Sequence, residues 1–252
     1  MTPDQYLYGI LSREAVDTSA TSPALAVRQT LMPLLNEWAG AMLRGVYPSG
    51  SFAKQTSNRS GTDIDLFVSL SNQTTESLKE IYTKLFNRLG EKGYAPKKQN
   101  VSLNIRVNGF DVDLVPAKHQ GGNGEYHSLY RRRADTWTQT NVNTHISKVS
   151  ASGRTSEIRV IKLWRNQHQL DFPSFYLELA IIEALSGARG SLSDNVWKAF
   201  GYLAGNFANA RFVDPANTNN VISDDLSATE RAAIKAAAVR ALATTNWNQI
   251  VV

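Results

Sequence analysis

Asp63 and Asp65 are one residue apart in the run Asp63-Ile64-Asp65-Leu66-Phe67-Val68-Ser69-Leu70, whose apolar content predicts a β-strand. Side chains alternate along a strand, so both carboxylates are expected on one face, roughly 7 Å apart. Side by side they repel each other, and an apolar sheet offers them no solvent. A divalent cation removes that cost, and magnesium takes oxygen ligands of this kind. A lone Asp-x-Asp is commonly a solvated turn or a helix cap, but carboxylates within an apolar run rarely belong to either. Upstream, Gly50 lets the backbone approach a ligand closely. The free N–H groups of a helix beginning there, together with the Ser51 hydroxyl, are suited to a phosphate. A phosphate cradle followed by metal-binding carboxylates points to nucleotide chemistry.

A further pair of acids lies in Val101 to Val115. Val101, Leu103, Ile105 and Val107 alternate as a strand, Asn108-Gly109 is a hairpin turn, and Phe110 to Val115 is the returning strand, with Pro116 closing it. Asp111 and Asp113 share one face of it, and their spacing does not choose between them. Taken alone they read as an exposed strand face. Beside Asp63 and Asp65, a third carboxylate completes a phosphoryl-transfer site: two acids ligate two metals, and the third ligates one metal and activates the attacking hydroxyl.

Helices must position these strands. Leu25, Val27, Leu31, Leu34, Leu35, Trp38 and Leu43 recur at helical spacing over Pro23 to Arg44, with Pro33 expected to kink or interrupt a helix bracing both lobes. Thr75 to Leu89 is a second helix, placed as the crossover after the first acidic strand. Ala117 to Ser152 reads as polar connection, with Arg131-Arg132-Arg133 either a solvated face or the mouth of an anion-binding cleft. His119, His127 and His145 have no metal-ligand spacing. Arg154 to His168 is a helix with apolar residues on much of its circumference. Lys162 lies on its apolar stripe, where it needs an anionic partner or must snorkel to solvent. Ser174 is placed to cap the next helix, followed by the aromatic Phe175. Ser193 to Phe207 is another helix, and Ser227 caps a final Ala-rich one, with Trp247 packing its end.

Gly50-Ser51, eleven intervening residues and Asp63-Ile64-Asp65-Leu66 resemble the nucleotidyltransferase signature of the DNA polymerase β superfamily. Within it, GSFAKQT followed by GTDIDLF resembles the bacterial cyclic-oligonucleotide synthases, relatives of cyclic GMP–AMP synthase and oligoadenylate synthetase. The resemblance runs from about Val46 to Ile222. It implies an α/β + α fold: a two-lobed polymerase-β-like nucleotidyltransferase, with a mixed-sheet catalytic lobe over 1–150 and a helical nucleotide-binding lobe over 151–252. It implies Asp63, Asp65 and Asp113 as the metal-binding catalytic acids, Asp113 lying in the family's VDLVP-like strand. It also implies that Gly50 and Ser51 hold phosphate, that Lys162 reaches the triphosphate, and that Ser174 and Phe175 contact phosphate and base. The family more often has Tyr at the Phe175 position, and usually reads AKGT where this chain has Gln55. The segment from Asp214-Pro215 to Asn219-Asn220 resembles one that closes a wall of the nucleotide pocket.

The implied cofactor is magnesium, two ions, with manganese as a substitute. The implied reaction joins ATP, GTP or other nucleoside triphosphates into a cyclic di- or trinucleotide with release of pyrophosphate. The setting is antiviral signalling, with a separate effector protein reached through the product. Linear oligoadenylate synthesis, RNA-terminal transfer and a non-catalytic nucleotide sensor are the alternatives.

At 252 residues the chain is long enough for one domain or two small lobes. The net charge of +5 accommodates a polyanionic ligand and gives no reason to expect a long nucleic acid. With no cysteine, disulfides and thiolate metal sites are excluded. No apolar run has membrane-spanning length and the first residues lack a signal-peptide pattern, so a cytoplasmic protein is expected.

Overall fold

Among the described residues, seven strands form one mixed sheet: β1 (Leu43–Pro48), β2 (Ile64–Leu70), β3 (Lys97–Lys98), β4 (Leu103–Val107), β5 (Phe110–His119), β6 (His127–Arg131) and β7 (Thr136–Thr140). Their order is β1-β2-β5-β4-β3, with β6 pairing the far part of β5, and β7 pairing β6. β2 and β5 are parallel and the other pairings are antiparallel. The computed structural model describes residues 1–17, 19, 21–61 and 63–252. It divides into two compact units, one of Asp17–Ala53 and Thr62–Ile146, the other of Met1–Val16, Lys54–Gly61 and Ser147–Val252.

In the sheet unit, Ile64, Leu66 and Val68 of β2 and Val112 and Leu114 of β5 turn to one face. There they meet Val27, Leu31 and Leu35 of α2 (Pro23–Ala39) and Tyr82, Leu85 and Leu89 of α4 (Leu78–Glu91). α4 begins at a Ser77–Glu80 capping box and provides the crossover between parallel β2 and β5. The opposite face carries Asp65 and Phe67 of β2 and Asp113 and Val115 of β5. A short helix, α3 (Gly50–Ala53), connects β1 towards β2, and α5 (Val142–Ser150) follows β7. Asn108 and Gly109, both at positive φ, make the expected hairpin turn.

Several expectations for this unit are corrected. α2 runs unbroken through Pro33, and its buried residues belong to the sheet unit's core. It ends where Gly40 takes a positive φ, so Leu43 and Arg44 are strand residues. Pro116 does not close β5: residues 115 and 116 fall between the pairings with β4 and β6, where a missing N–H is tolerated. The stretch expected to be polar connection holds β6, β7 and α5, whose Ser, Thr and Gln residues on a half-exposed edge hairpin hide the period-two signal.

The helical unit packs α1 (Pro3–Arg13), α6 (Thr155–Gln167), α7 (Ser174–Ala184), α8 (Leu192–Gly205) and α9 (Ala228–Leu242) around Trp164, Tyr176, Phe200 and Phe207. β8 (Val213–Asp214) and β9 (Asn217–Val221) form a small hairpin in the segment read as turns. A capping box of Ser227 and Glu230 starts α9, and Trp247 packs against this core and against Trp197. The division read at residue 150 lies near the one at Ser147, but α1 and the 54–61 loop fall in the helical unit. Leu7, Ile10 and Leu11 of α1 are buried in the helical core, and Arg159 of α6 holds the loop through Ser57 O (3.0 Å) and Asn58 Oδ1 (3.1 Å).

Candidate active site

Asp65 and Asp113 are direct register partners on parallel β2 and β5, which puts their backbones about one inter-strand spacing, ~4.8 Å, apart. Both are half-buried. Asp63 precedes β2, which begins at Ile64, so the expectation of two carboxylates on one strand face is corrected. It is an exposed residue of the strand's approach. Its carboxyl pKa is nonetheless raised, first by partial desolvation and then by the negative charges of Asp113 and Asp111. Asp111 is exposed near the start of β5, opposite Arg106.

Gly50 adopts a φ of +56°, and a Cβ added there would lie 1.7 Å from Asp65 Oδ2. The Asp65 carboxylate thus rests against the glycine backbone, and any side chain at position 50 would have to displace it and hold a strained φ. The Ser49 N–H donates to Asp65 O at 2.8 Å, tying the start of α3 to β2. Ser51 follows in the first turn of α3.

The Asp113 carboxylate is held by neutral donors. Asn104 Nδ2 donates to Oδ1 at 2.9 Å and Gln99 Nε2 at 3.1 Å, while Ser102 Oγ makes a longer 3.4 Å contact to Oδ2. Oδ2 is therefore the less engaged oxygen. Asn104 owes its place to the hairpin register, which sets it opposite Asp113. Sequence reasoning missed these three donors, although the Asn108-Gly109 turn defines that register.

An all-carboxylate donor set is the kind a hard divalent cation takes, and the Asp63 pKa is raised by desolvation first and by the charges of Asp113 and Asp111 second, both of which such a cation would offset. These residues fit magnesium chemically. Among the described residues, no three or more His, Cys, Asp or Glu side chains are gathered closely enough to hold a metal ion.

In the helical unit, Lys162 is buried on α6 and its anionic partner is Glu178 of α7, with Nζ 2.5 Å from Oε1. Lys162 also donates to Thr56 Oγ1 at 2.9 Å and Thr56 O at 3.4 Å. Glu178 is fully buried, and it takes Lys54 at 2.6 Å and the Thr56 hydroxyl at 2.7 Å. Burial pushes Lys162 down to about 8 despite the glutamate. Desolvation would raise Glu178, but the two lysines outweigh it and hold its pKa below the ordinary value. Two lysines on one carboxylate leave a surplus of one positive charge. The Lys54 ammonium also lies 5.0 Å from the centre of the Phe175 ring.

Ser174 is the first residue of α7 rather than its cap, because Pro173 occupies the capping position. Its hydroxyl accepts from Arg165 at 3.0 Å, and the same guanidinium donates to Phe172 O at 2.7 Å. Asp214 is buried, accepting from Ala216 N (2.8 Å) and Asn220 Nδ2 (3.2 Å). Gln55, at the position read as a family glycine, has a φ of +60°. Lys54, Thr56 and Glu178 were also missed. The available signal was Glu178 itself, a charge inside the apolar run SFYLELAII, which demands buried partners.

No protein-family model matches the chain. A cyclic AMP-AMP-AMP synthase of Escherichia coli (strain MS 115-1) is 24% identical over 176 residues, covering 64% of this chain and 55% of that protein. The match thus spans just over half the relative's length. Among solved structures, the E. coli MS115-1 CdnC with ATP superposes with a TM-score of 0.77 at 22% identity, covering 96% of this chain and 91% of that one. A Cid1 poly(U) polymerase bound to MgATP does so with a TM-score of 0.67 at 13% identity, over 95% and 93%. The chain is similar to the bacterial cyclic-oligonucleotide synthases, as its motifs suggest, and its fold is that of the polymerase-β-like nucleotidyltransferases.

Proposed function

We propose that this chain is a nucleotidyltransferase that joins nucleoside triphosphates, ATP and GTP among them, into a cyclic di- or trinucleotide and releases pyrophosphate. The observation that carries the reading is the parallel register of Asp65 with Asp113, with Gly50 against the Asp65 carboxylate and Asp63 two residues before it. Asp63, Asp65 and Asp113 are the residues that would draw together to hold magnesium, which when bound would supply Lewis-acid stabilisation of phosphate charge. Asp113, kept in place by Asn104 and Gln99, also takes the proton of the attacking ribose hydroxyl. The ribose oxygen bonds to the α-phosphorus, the bond to the bridging oxygen breaks, and pyrophosphate leaves. Repeating the step within a linear product closes the ring.

Gly50 and Ser51 present backbone N–H groups and a hydroxyl to the phosphates. Lys162 acts with Lys54: their one surplus positive charge attracts the polyphosphate, in place of a bond from Lys162 alone. Ser174 contacts phosphate, and Phe175 offers its ring to a base. The resemblance of the GSFAKQT and GTDIDLF motifs to the cyclic-oligonucleotide synthases supports the further reading that the product is a signal for a separate effector protein in antiviral defence, made in the cytoplasm. Among the described residues, no helix is long and apolar enough to cross a membrane. Mass spectrometry of products from labelled ATP, GTP, CTP and UTP tests the reading: a ring lacking terminal phosphates supports it.

A second reading, linear oligoadenylate synthesis or RNA-terminal transfer, is favoured by the likeness to a poly(U) polymerase. It predicts phosphatase-sensitive linear products or extension of an RNA primer. A nucleotide sensor predicts binding without pyrophosphate release.

A further inference from the structure

We propose that a cavity of the sheet unit, at the far end of β2 from Asp65, binds a free α-amino acid with an apolar side chain. This inference is independent of how the carboxylates are read. The cavity lies between the end of α2, the turn that follows it, the end of β2 and the first turns of α4. Leu70 in its wall is five residues past Asp65, about 17 Å along the strand. The volume is about 160 Å³, close to the ~150 Å³ of a protein cavity that admits benzene. The occupant's apolar part is therefore of benzyl or isobutyl size, and a nucleotide is too large.

Four side chains give the cavity an apolar lining: Leu70 and Ile81 are buried, Trp38 and Met42 half-buried. Thr74 is the polar exception in the wall. Its backbone is tied on both sides. The N–H donates to Ser71 O at 3.2 Å, and the carbonyl accepts from Lys118 Nζ at 2.5 Å. The residue is only 5% exposed, yet its hydroxyl has no hydrogen-bond partner among the described residues. An unpartnered buried hydroxyl is costly, and turning it about χ1 breaks no bond. It is free to donate to a carboxylate brought into the cavity.

The rest of the wall supplies both signs of charge. Glu76 and Lys84 pair at 2.7 Å, with their side chains 33% and 58% exposed. The hydrogen bond from Lys84 holds the Glu76 carboxyl below its ordinary pKa, so it is ionised at neutral pH. An exposed pair of this kind contributes little to stability and exchanges readily for other partners. A zwitterionic head satisfies both halves: its ammonium meets Glu76, and its carboxylate meets Lys84 and the Thr74 hydroxyl. A peptide end offers one of these charges and a hydrocarbon neither, so the set selects the free amino acid.

The test is a ligand-observed NMR titration with L-phenylalanine and L-leucine, with N-acetyl-L-phenylalanine and L-phenylalaninamide as parallel arms. Saturable binding of both amino acids is expected, in the wild type and in an Asp63→Asn, Asp65→Asn variant. The two derivatives, each lacking one charge of the head, should bind about tenfold or more weakly. Thr74→Val should weaken L-phenylalanine about tenfold and leave the melting temperature equal or higher, because the hydroxyl it removes had no partner. Ala39→Leu, which fills the cavity from the end of α2, should abolish binding. No saturable binding would overturn the proposal. So would binding that survives Ala39→Leu, binding that Thr74→Val leaves unchanged, or derivatives that bind as well as the free amino acids. Circular-dichroism melts confirm that each variant is folded, and no arm depends on turnover.

Discussion

Lys162 and Glu178 meet in the helical unit with 2.5 Å between Nζ and Oε1, and the same carboxylate holds Lys54 at 2.6 Å. A buried charge pair is not in itself a source of stability, because desolvation offsets its attraction. Removing one member is different, since the remaining charges stay buried and unpaired.

Glu178→Gln therefore leaves two buried ammonium groups without an anion and should cost about 3–5 kcal/mol. Urea denaturation followed by circular dichroism measures it. A loss below about 1 kcal/mol would mean that solvent or an alternative partner already compensates the lysines.

The pH dependence follows from Lys162. Its folded value of about 8 lies below the ordinary 10.5, so between those values the unfolded state binds more protons and stability rises with pH. Glu178 acts at the other end: its lowered value contributes stability above 4.5 that is lost on acidification. Lys162→Met should remove the alkaline rise. Denaturation at pH 7.5, 9 and 10 in wild type and variant should diverge, and parallel profiles would refute the assignment.

Gln55 holds a left-handed backbone at the position that the motif resemblance reads as a family glycine. The left-handed conformation costs a residue with a Cβ about 1–2 kcal/mol, partly offset by the greater chain entropy glycine loses on folding. Gln55→Gly should stabilise by up to about 1 kcal/mol, a rise of a few degrees in melting temperature. A lower melting temperature would show that the Gln55 side chain makes a compensating contact.

The acidic strand, the returning hairpin and the main helices were legible because each carries a local signal: apolar alternation, the Asn-Gly turn and helical spacing. The same pattern put Asp111 and Asp113 on one strand face, and the family resemblance singled out Asp113. What holds it was not, since Gln99, Ser102 and Asn104 become its neighbours only through loop geometry and cross-strand register. Lys162 showed that it needed an anion, but Glu178 lies sixteen positions away on another helix, and only packing joins them. β6 and β7 escaped notice because a polar, half-exposed edge hairpin has little alternation to read.

The choice between the acids of β5 is now a matter of setting. Asp113 is the register partner of Asp65 and is clamped by amide donors, whereas Asp111 is exposed near the hairpin turn. Asp113→Ala should slow single turnover at least about a hundredfold, the scale of losing a general base. Asp111→Ala should cost far less. A larger loss at Asp111 would reverse the roles.

Pyrophosphate release from wild type and from Asp63→Asn, Asp65→Asn, with magnesium and single or mixed nucleoside triphosphates, tests the central claim most directly. Removing two negative charges should leave the fold intact, because Asp63 already carries a pKa raised by partial desolvation and by Asp113 and Asp111. The wild type should release pyrophosphate and yield a phosphatase-resistant product, and the double variant should release none while melting at an equal or higher temperature. Wild-type-like release from the double variant, or none from the wild type with any nucleotide mixture, would contradict the account.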